Sequence, residues 1–223
     1  MYKRFLVFLI LLSILGVAAG CAPTETKTAV LPEVKVETKV AEVPEIAGAV
    51  IITTFETGES EKWVARGEGV SILVTDKEAH TGKYSLYIKG RSSGWHGTQI
   101  QLKDLLKPGK VYSISLWVMH KNELPQHIGL TMQRKYNTDS STQYDWIKHE
   151  MEIPGGKWVE LSGSYEIPAG VSIEDLTLYV EAPKNVNLEF YIDDLVIVEG
   201  KKGFKITPEL FDLFAKYYGE CFN

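Results

Sequence analysis

Tyr112-Ser113-Ile114-Ser115-Leu116-Trp117-Val118 decides the fold class. Tyr112, Ile114, Leu116 and Val118 recur at every second position, the period at which side chains of a strand return to one face. The same signature recurs on either side. Upstream stand Val50-Ile51-Ile52 leading to Phe55, Val70/Ile72/Val74, Tyr84/Leu86/Ile88 and Thr98/Ile100/Leu102. Downstream stand Leu130/Met132, Tyr144/Trp146, Trp158-Val159/Leu161, Leu176/Leu178/Val180 and Phe190/Ile192 running on to Val198. Gly, Asp and Ser break the runs, and no amphipathic helical window separates them. Short strands at such spacing predict an all-β fold, a jelly-roll β-sandwich of two antiparallel sheets packed ~10 Å apart.

Around this body the chain divides into four parts. Residues 1–20 read as a secretory signal, with Lys3 and Arg4 before an apolar run from Phe5 to Leu12 and small residues at its exit. That run is too short for a spanning helix of about 20 residues. The ending Ala18-Ala19-Gly20-Cys21 resembles a bacterial lipobox, which predicts lipidation of Cys21 and an extracytoplasmic, membrane-anchored protein at the cell surface. Ala18 stands where a Leu is usual, and plain cleavage near Ala19 is the alternative. Residues 21–48, punctuated by Pro23, Pro32 and Pro44 and rich in Lys and Glu, predict a solvated tether. Residues 49–199 carry the sandwich. Residues 200–223 predict a hinge and a short C-terminal helix opening at Thr207-Pro208. That helix docks on the sandwich, binds a partner or begins a truncated catalytic domain.

Composition narrows the function. The 223 residues are 44% hydrophobic and 24% charged, which excludes wholesale disorder. Two Cys exclude a disulfide-stapled miniature and, with five scattered His, leave zinc without a ligand cluster. The net charge of −5, or −7 once Lys3 and Arg4 leave with the signal, argues against nucleic acid as a partner.

Several strings occur in order: Phe55-Glu56; Trp63-Val64-Ala65-Arg66-Gly67; His80-Thr81-Gly82-Lys83-Tyr84-Ser85-Leu86; Gly90-Arg91; Trp95-His96-Gly97; Gly109-Lys110-Val111-Tyr112; the run from Gly156 to Tyr165; Leu178-Tyr179-Val180-Glu181; and Phe190-Tyr191-Ile192-Asp193-Asp194-Leu195. Together they resemble the family 22 carbohydrate-binding modules, xylan-binding jelly rolls often attached to xylanases, over roughly Ile51 to Val198.

The residues themselves suit such a ligand. A polysaccharide offers apolar ring faces and a fringe of hydroxyls, so its site needs aromatic planes beside polar groups. Alternation on Leu176 to Glu181 turns Thr177, Tyr179 and Glu181 outward together, and a carboxylate can accept from adjacent sugar hydroxyls. Trp95 lies in a loop of small and polar residues, and Tyr144 begins a strand among polar neighbours. Arg66 can donate to hydroxyls or orient Glu181. The resemblance implies that Arg66, Trp95, Tyr144, Tyr179 and Glu181 line a xylan cleft; Trp63, Trp117, Trp146 and Trp158 are read as core. It also implies a structural Ca²⁺ held by Glu56, the Lys83 carbonyl and Asp193. Asp193 and Asp194 should face opposite ways, so only one can be a ligand.

No catalysis is expected. Glycoside cleavage needs two carboxylates across the bond; Asp193 and Asp194 do not face one substrate, and Glu150 and Glu152 look solvated among Lys148, His149 and Pro154. The leading expectation is non-catalytic binding of xylan or xylooligosaccharides, with mixed-linkage β-glucan also admissible. The alternatives are a structural or protein-interaction sandwich lipoprotein, and the accessory part of a truncated xylanase.

Overall fold

The computed structural model describes residues 49–200. The expected signal with Cys21, the tether and the C-terminal helix lie outside these residues.

The described residues form eleven strands: β1 (Ala49–Thr53), β2 (Val64–Arg66), β3 (Ser71–Thr75), β4 (Ser85–Lys89), β5 (Gly97–Gln101), β6 (Val111–Met119), β7 (Gln126–Tyr136), β8 (Gln143–Ile153), β9 (Val159–Glu166), β10 (Ile173–Glu181) and β11 (Phe190–Glu199). One sheet runs β3-β4-β11-β6-β9, with β1 also pairing with β11; the other runs β2-β5-β10-β7-β8. All pairings are antiparallel. This is the two-sheet antiparallel sandwich that the alternation predicts. β2 is the addition, three residues too short to show a period.

Pattern becomes packing most plainly on β6. Tyr112, Ile114, Leu116 and Val118 are all buried, while Ser113, Ser115 and Trp117 between them are half-buried. The inward residues join Leu86, Ile88, Ile100, Leu130, Leu161, Leu178 and Ile192 in one core. Each such side chain contributes roughly 1.5–3 kcal/mol by leaving water. Trp63 is buried as expected, and its indole N–H donates to the Thr53 hydroxyl at 3.0 Å.

β10 departs from a simple inside/outside strand. Leu176, Leu178 and Val180 face the core, and Thr177, Tyr179 and Glu181 on the other face are also buried, at 4%, 4% and 7% exposure. As the central strand of its sheet, β10 is overhung by side chains from β2, β5 and β7, so its outer face becomes the floor of a cleft.

Candidate binding cleft

Register sets the cleft. Residues directly opposite one another on paired strands share a face. Gln99, Tyr179, Thr131 and Trp146 are linked in one cross-strand row, and Arg66, Gly97, Glu181 and Gly129 in the next. Above this face opens a cleft of about 650 Å³ lined by Arg66, Trp95, Gln99, Gln133, Tyr144 and Tyr179, with Ala65 and Gly67 at one edge. Four of the five expected sugar-site residues line it directly. Glu181 lies two residues along β10 from Tyr179, on the same face.

Arg66 organises the floor. Its guanidinium carbon stands 3.9 Å from the Tyr179 ring centroid and 5.6 Å from that of Trp95. Nη1 donates to Gln99 Oε1 at 2.7 Å and Nη2 to Gln133 Oε1 at 2.9 Å. Nε is buried and has no hydrogen-bond partner among the described residues. The expectation that Arg66 orients Glu181 is therefore corrected: its hydrogen bonds go to two glutamines, and it acts on Glu181 through its charge. Gln133 in turn donates to Asp175 at 2.6 Å, and Gln101 to the other Asp175 oxygen at 3.1 Å. Burial works to raise the Asp175 pKa, but these bonds and those from Thr177 and the Leu176 N–H outweigh it and hold it low. Gln99 and Gln133 line the cleft beside Arg66 and Asp175 braces Gln133, and the sequence does not single out any of the three.

Glu181 accepts from the Thr131 hydroxyl at 2.7 Å. Burial raises its pKa above the ordinary 4.5, against hydrogen bonds from Thr131 and Tyr179 and the charges of Arg66 and Arg91. Burial, and then the Glu181 charge, push the Tyr179 phenol up to about 12. The phenol therefore stays protonated at neutral pH and keeps a hydrogen to donate.

The rims carry the aromatic planes. Trp95 is 50% exposed and meets the His96 ring edge-on at 4.4 Å. Its loop is anchored by Arg91, which is 4% exposed and donates to backbone carbonyls on both sides: Nε to His96 at 2.6 Å, Nη1 to Asn185 and Leu188, Nη2 to Gly94 and Ala182. Burial draws the Arg91 pKa down to about 10, with the Glu181 charge opposing. Gly67 completes the seat. Its φ is +103°, and a Cβ there would stand 2.3 Å from a His96 ring carbon. On the opposite rim Tyr144 is 57% exposed and Trp146 43%.

Trp146 overturns its assignment to the core. It follows Tyr144 by two residues on β8, so the strand period puts both on the cleft side. Trp117 and Trp158 are likewise not core. Trp117 is half-buried on β6 and Trp158 half-buried just ahead of β9, where His80 stacks on Trp117 at 3.8 Å and meets Trp158 at 5.8 Å. Glu150 is not solvated either: its side chain is 15% exposed and pairs with Lys184 at 3.0 Å, while Glu152 is exposed as expected.

Of the expected calcium ligands, Glu56 and Asp193 each bond the backbone of residues 80–84. Glu56 accepts from the Lys83 N–H at 3.0 Å and the Tyr84 N–H at 2.8 Å. Asp193 accepts from the N–H groups of His80 and Asp194, both at 2.8 Å. Asp194 accepts from the Thr81 hydroxyl and pairs with His80 Nδ1 at 2.6 Å. The two aspartates do not diverge. β11 is irregular between Asp193 and Val196, and Asp194 has φ +49°, so alternation breaks and both carboxylates reach one loop. Burial and then the Asp194 charge raise the Asp193 pKa well above its usual range; burial, opposed by the two N–H groups, raises Glu56. Hard oxygens carrying buried negative charge suit calcium by chemistry. Among the described residues, however, no three His, Cys, Asp or Glu side chains are gathered as a metal would need.

An open cleft with aromatic rims and a hydrogen-bonding floor offers the ring planes and polar groups that a glycan calls for. Residues 48–187 match the family model described as carbohydrate binding domain, and the chain belongs to that family. Its curated relatives include endo-1,4-beta-xylanase A of Thermotoga neapolitana, 50% identical over 158 residues, which are 70% of this chain and 15% of that enzyme. The chain thus spans a small fraction of the xylanases it matches. Among solved structures, the CBM22-1 xylan-binding domain of Paenibacillus barcinonensis Xyn10C is 30% identical, with TM-score 0.64, over 70% of this chain and 98% of that domain. The C-terminal family 22 module of Clostridium thermocellum Xyn10B is 25% identical, with TM-score 0.64, over 73% and 99%.

Proposed function

We propose that the cleft binds xylan or xylooligosaccharides without cleaving them. The observation that carries this is the placing of Trp95 and Tyr144, each at least half exposed, on either side of a floor made by Arg66 and Tyr179. A pyranose face lies on a rim ring while its hydroxyls meet the Arg66 guanidinium, the glutamine amides and the Glu181 carboxylate. Two or three stacked rings and a few hydrogen bonds supply ~5 to 7 kcal/mol, a Kd on the order of 0.2 mM to 10 µM. Affinity electrophoresis of the full chain against xylan, mixed-linkage β-glucan and an unrelated glycan tests the reading. Retardation by xylan supports it, and migration unchanged in every gel overturns it.

Weak single-site binding gains from many copies at one surface. The basic, apolar and small-residue order ahead of Cys21 supports display of the module on a lipid anchor, so radiolabelled palmitate should enter the parent and not Cys21→Ala. Ca²⁺ is proposed as a structural ligand of Glu56, Asp193 and the Lys83 carbonyl. It would stabilise the ionised carboxylates that burial there disfavours, and added calcium should raise Tm; a Tm indifferent to calcium and to chelator would remove the ion from the account.

A further inference from the structure

Trp146 is the large exposed aromatic of the cleft sheet that the five-residue site leaves unused. Its place is set by three contacts. In register it stands opposite Thr131, the residue whose hydroxyl bonds Glu181 at 2.7 Å. Gly129, the cross-strand partner of Glu181, provides its berth: a Cβ there would come within 2.5 Å of a Trp146 ring carbon. The indole therefore leans over β7 where a side chain would otherwise rise, beside Glu181. The His149 ring backs it at 4.7 Å and 42°. The row that runs Arg66, Gly97, Glu181, Gly129 thus has the Trp95 rim at one end and the Trp146 indole at the other.

Beyond the indole stands a polar fringe. Lys184 pairs with Glu150 at 3.0 Å and reaches His127 Nδ1 at 3.2 Å, and the second Glu150 oxygen is buried with no partner among the described residues. An open ring face, a supporting ring behind it, a shared carboxylate on one side and amine and imidazole groups on the other repeat the chemistry of the first rim.

We propose that Trp146 is a second stacking platform, taking a further pyranose ring of the same β-linked chain on the far side of Glu181 from Trp95. The proposal rests on the reading of the cleft as a glycan site. Trp146 lies two residues, about 7 Å, along β8 from Tyr144, so the platforms serve successive parts of one extended ligand rather than one sugar. Glu181 becomes the hinge of the site, within reach of hydroxyls from rings on either side. The consequence is selection for chain length.

Calorimetric titration of the full chain with xylotriose and xylohexaose tests this. Trp146→Ala should weaken xylohexaose at least about fivefold and leave xylotriose within about twofold. Trp146→Phe, which keeps a ring, should recover most of the loss. Trp146 is exposed, so an unchanged Tm certifies that the variants fold. A parent that binds both sugars, with Trp146→Ala holding xylohexaose as tightly as the parent does, overturns the second platform alone. A parent that binds neither sugar overturns the glycan reading and the platform with it.

Discussion

Both sheets carry aromatic side chains away from the shared core, and they use them in opposite ways. On the β3-β4-β11-β6-β9 sheet the rings are spent on one another. His80 lies on Trp117 at 3.8 Å and 15°, Tyr87 lies on Tyr191 at 4.7 Å, and the Tyr87 hydroxyl is bonded to Glu189. On the β2-β5-β10-β7-β8 side Trp95 and Tyr144 line a hollow and Trp146 stands two residues along β8 on the face of Tyr144, each 43–57% exposed. The stacked pairs already have the contact that a sugar face would offer. The cleft-side rings have tilted or edge-on ring neighbours rather than stacked ones, Trp95 with His96 and Trp146 with His149, and near them stand guanidinium, amide and carboxylate groups that a hydroxyl can address. Aromatic content alone therefore does not make a sugar site; unspent ring faces beside polar groups do.

The largest effect that this contrast predicts is at Trp95. Trp95→Ala removes a half-exposed ring whose loop Arg91 already holds in place, so binding loses a contact whose ordering cost is met before the sugar arrives. Xylohexaose affinity should fall about thirtyfold, near the ~2 kcal/mol that marks a dominant contact residue. An affinity within twofold of the parent, measured by calorimetry, would break the contrast outright.

Glu181→Gln is intermediate and separates affinity from stability. The folded-state pKa of Glu181 lies above its ordinary 4.5, so the fold disfavours its charged form. Its contribution to stability is complete below the unfolded pKa and is lost as pH rises through the folded one. A neutral amide escapes that loss, and the variant should melt higher than the parent at pH 7. Affinity should move the other way, falling about fivefold with the charge-assisted acceptor gone. In the parent, affinity should decline as acid protonates Glu181, beginning at a higher pH than for an ordinary carboxylate, and the variant should lack that limb. A variant that loses both affinity and Tm would assign Glu181 to the scaffold.

The contrast was partly legible in the sequence. Period-two alternation located the strands and put Tyr179 and Glu181 on one face, because a residue's side of a strand depends only on its neighbours in the chain. Trp146 follows the same rule, two residues after Tyr144, but its size and apolarity in a strand point equally to core, and the period alone does not say which face is inward. Gln99 and Gln133 were not legible: they matter only because strand register brings both to Arg66, and register is a property of pairs of distant segments. Arg91 appeared in the motif order, but its acceptors on residues 182–188 depend on how two loops meet. The convergence of Asp193 and Asp194 was hidden by a bulge with positive φ, which alternation cannot foresee. Local periods write the fold into the chain; the cleft's polar floor is written in contacts between strands.

The smallest expected effect on binding is the sharpest control. Trp117→Ala removes an indole as large as that of Trp95, from the sheet whose rings stack on one another. It should cost about 1 kcal/mol of stability through the lost His80 contact, seen as a lower Tm, and leave xylohexaose affinity within about twofold. Loss of affinity comparable to that of Trp95→Ala would mean that the His80–Trp117 face also takes sugar. Unspent ring faces would then no longer distinguish the two sheets, and the cleft would have to be set apart by its polar floor alone.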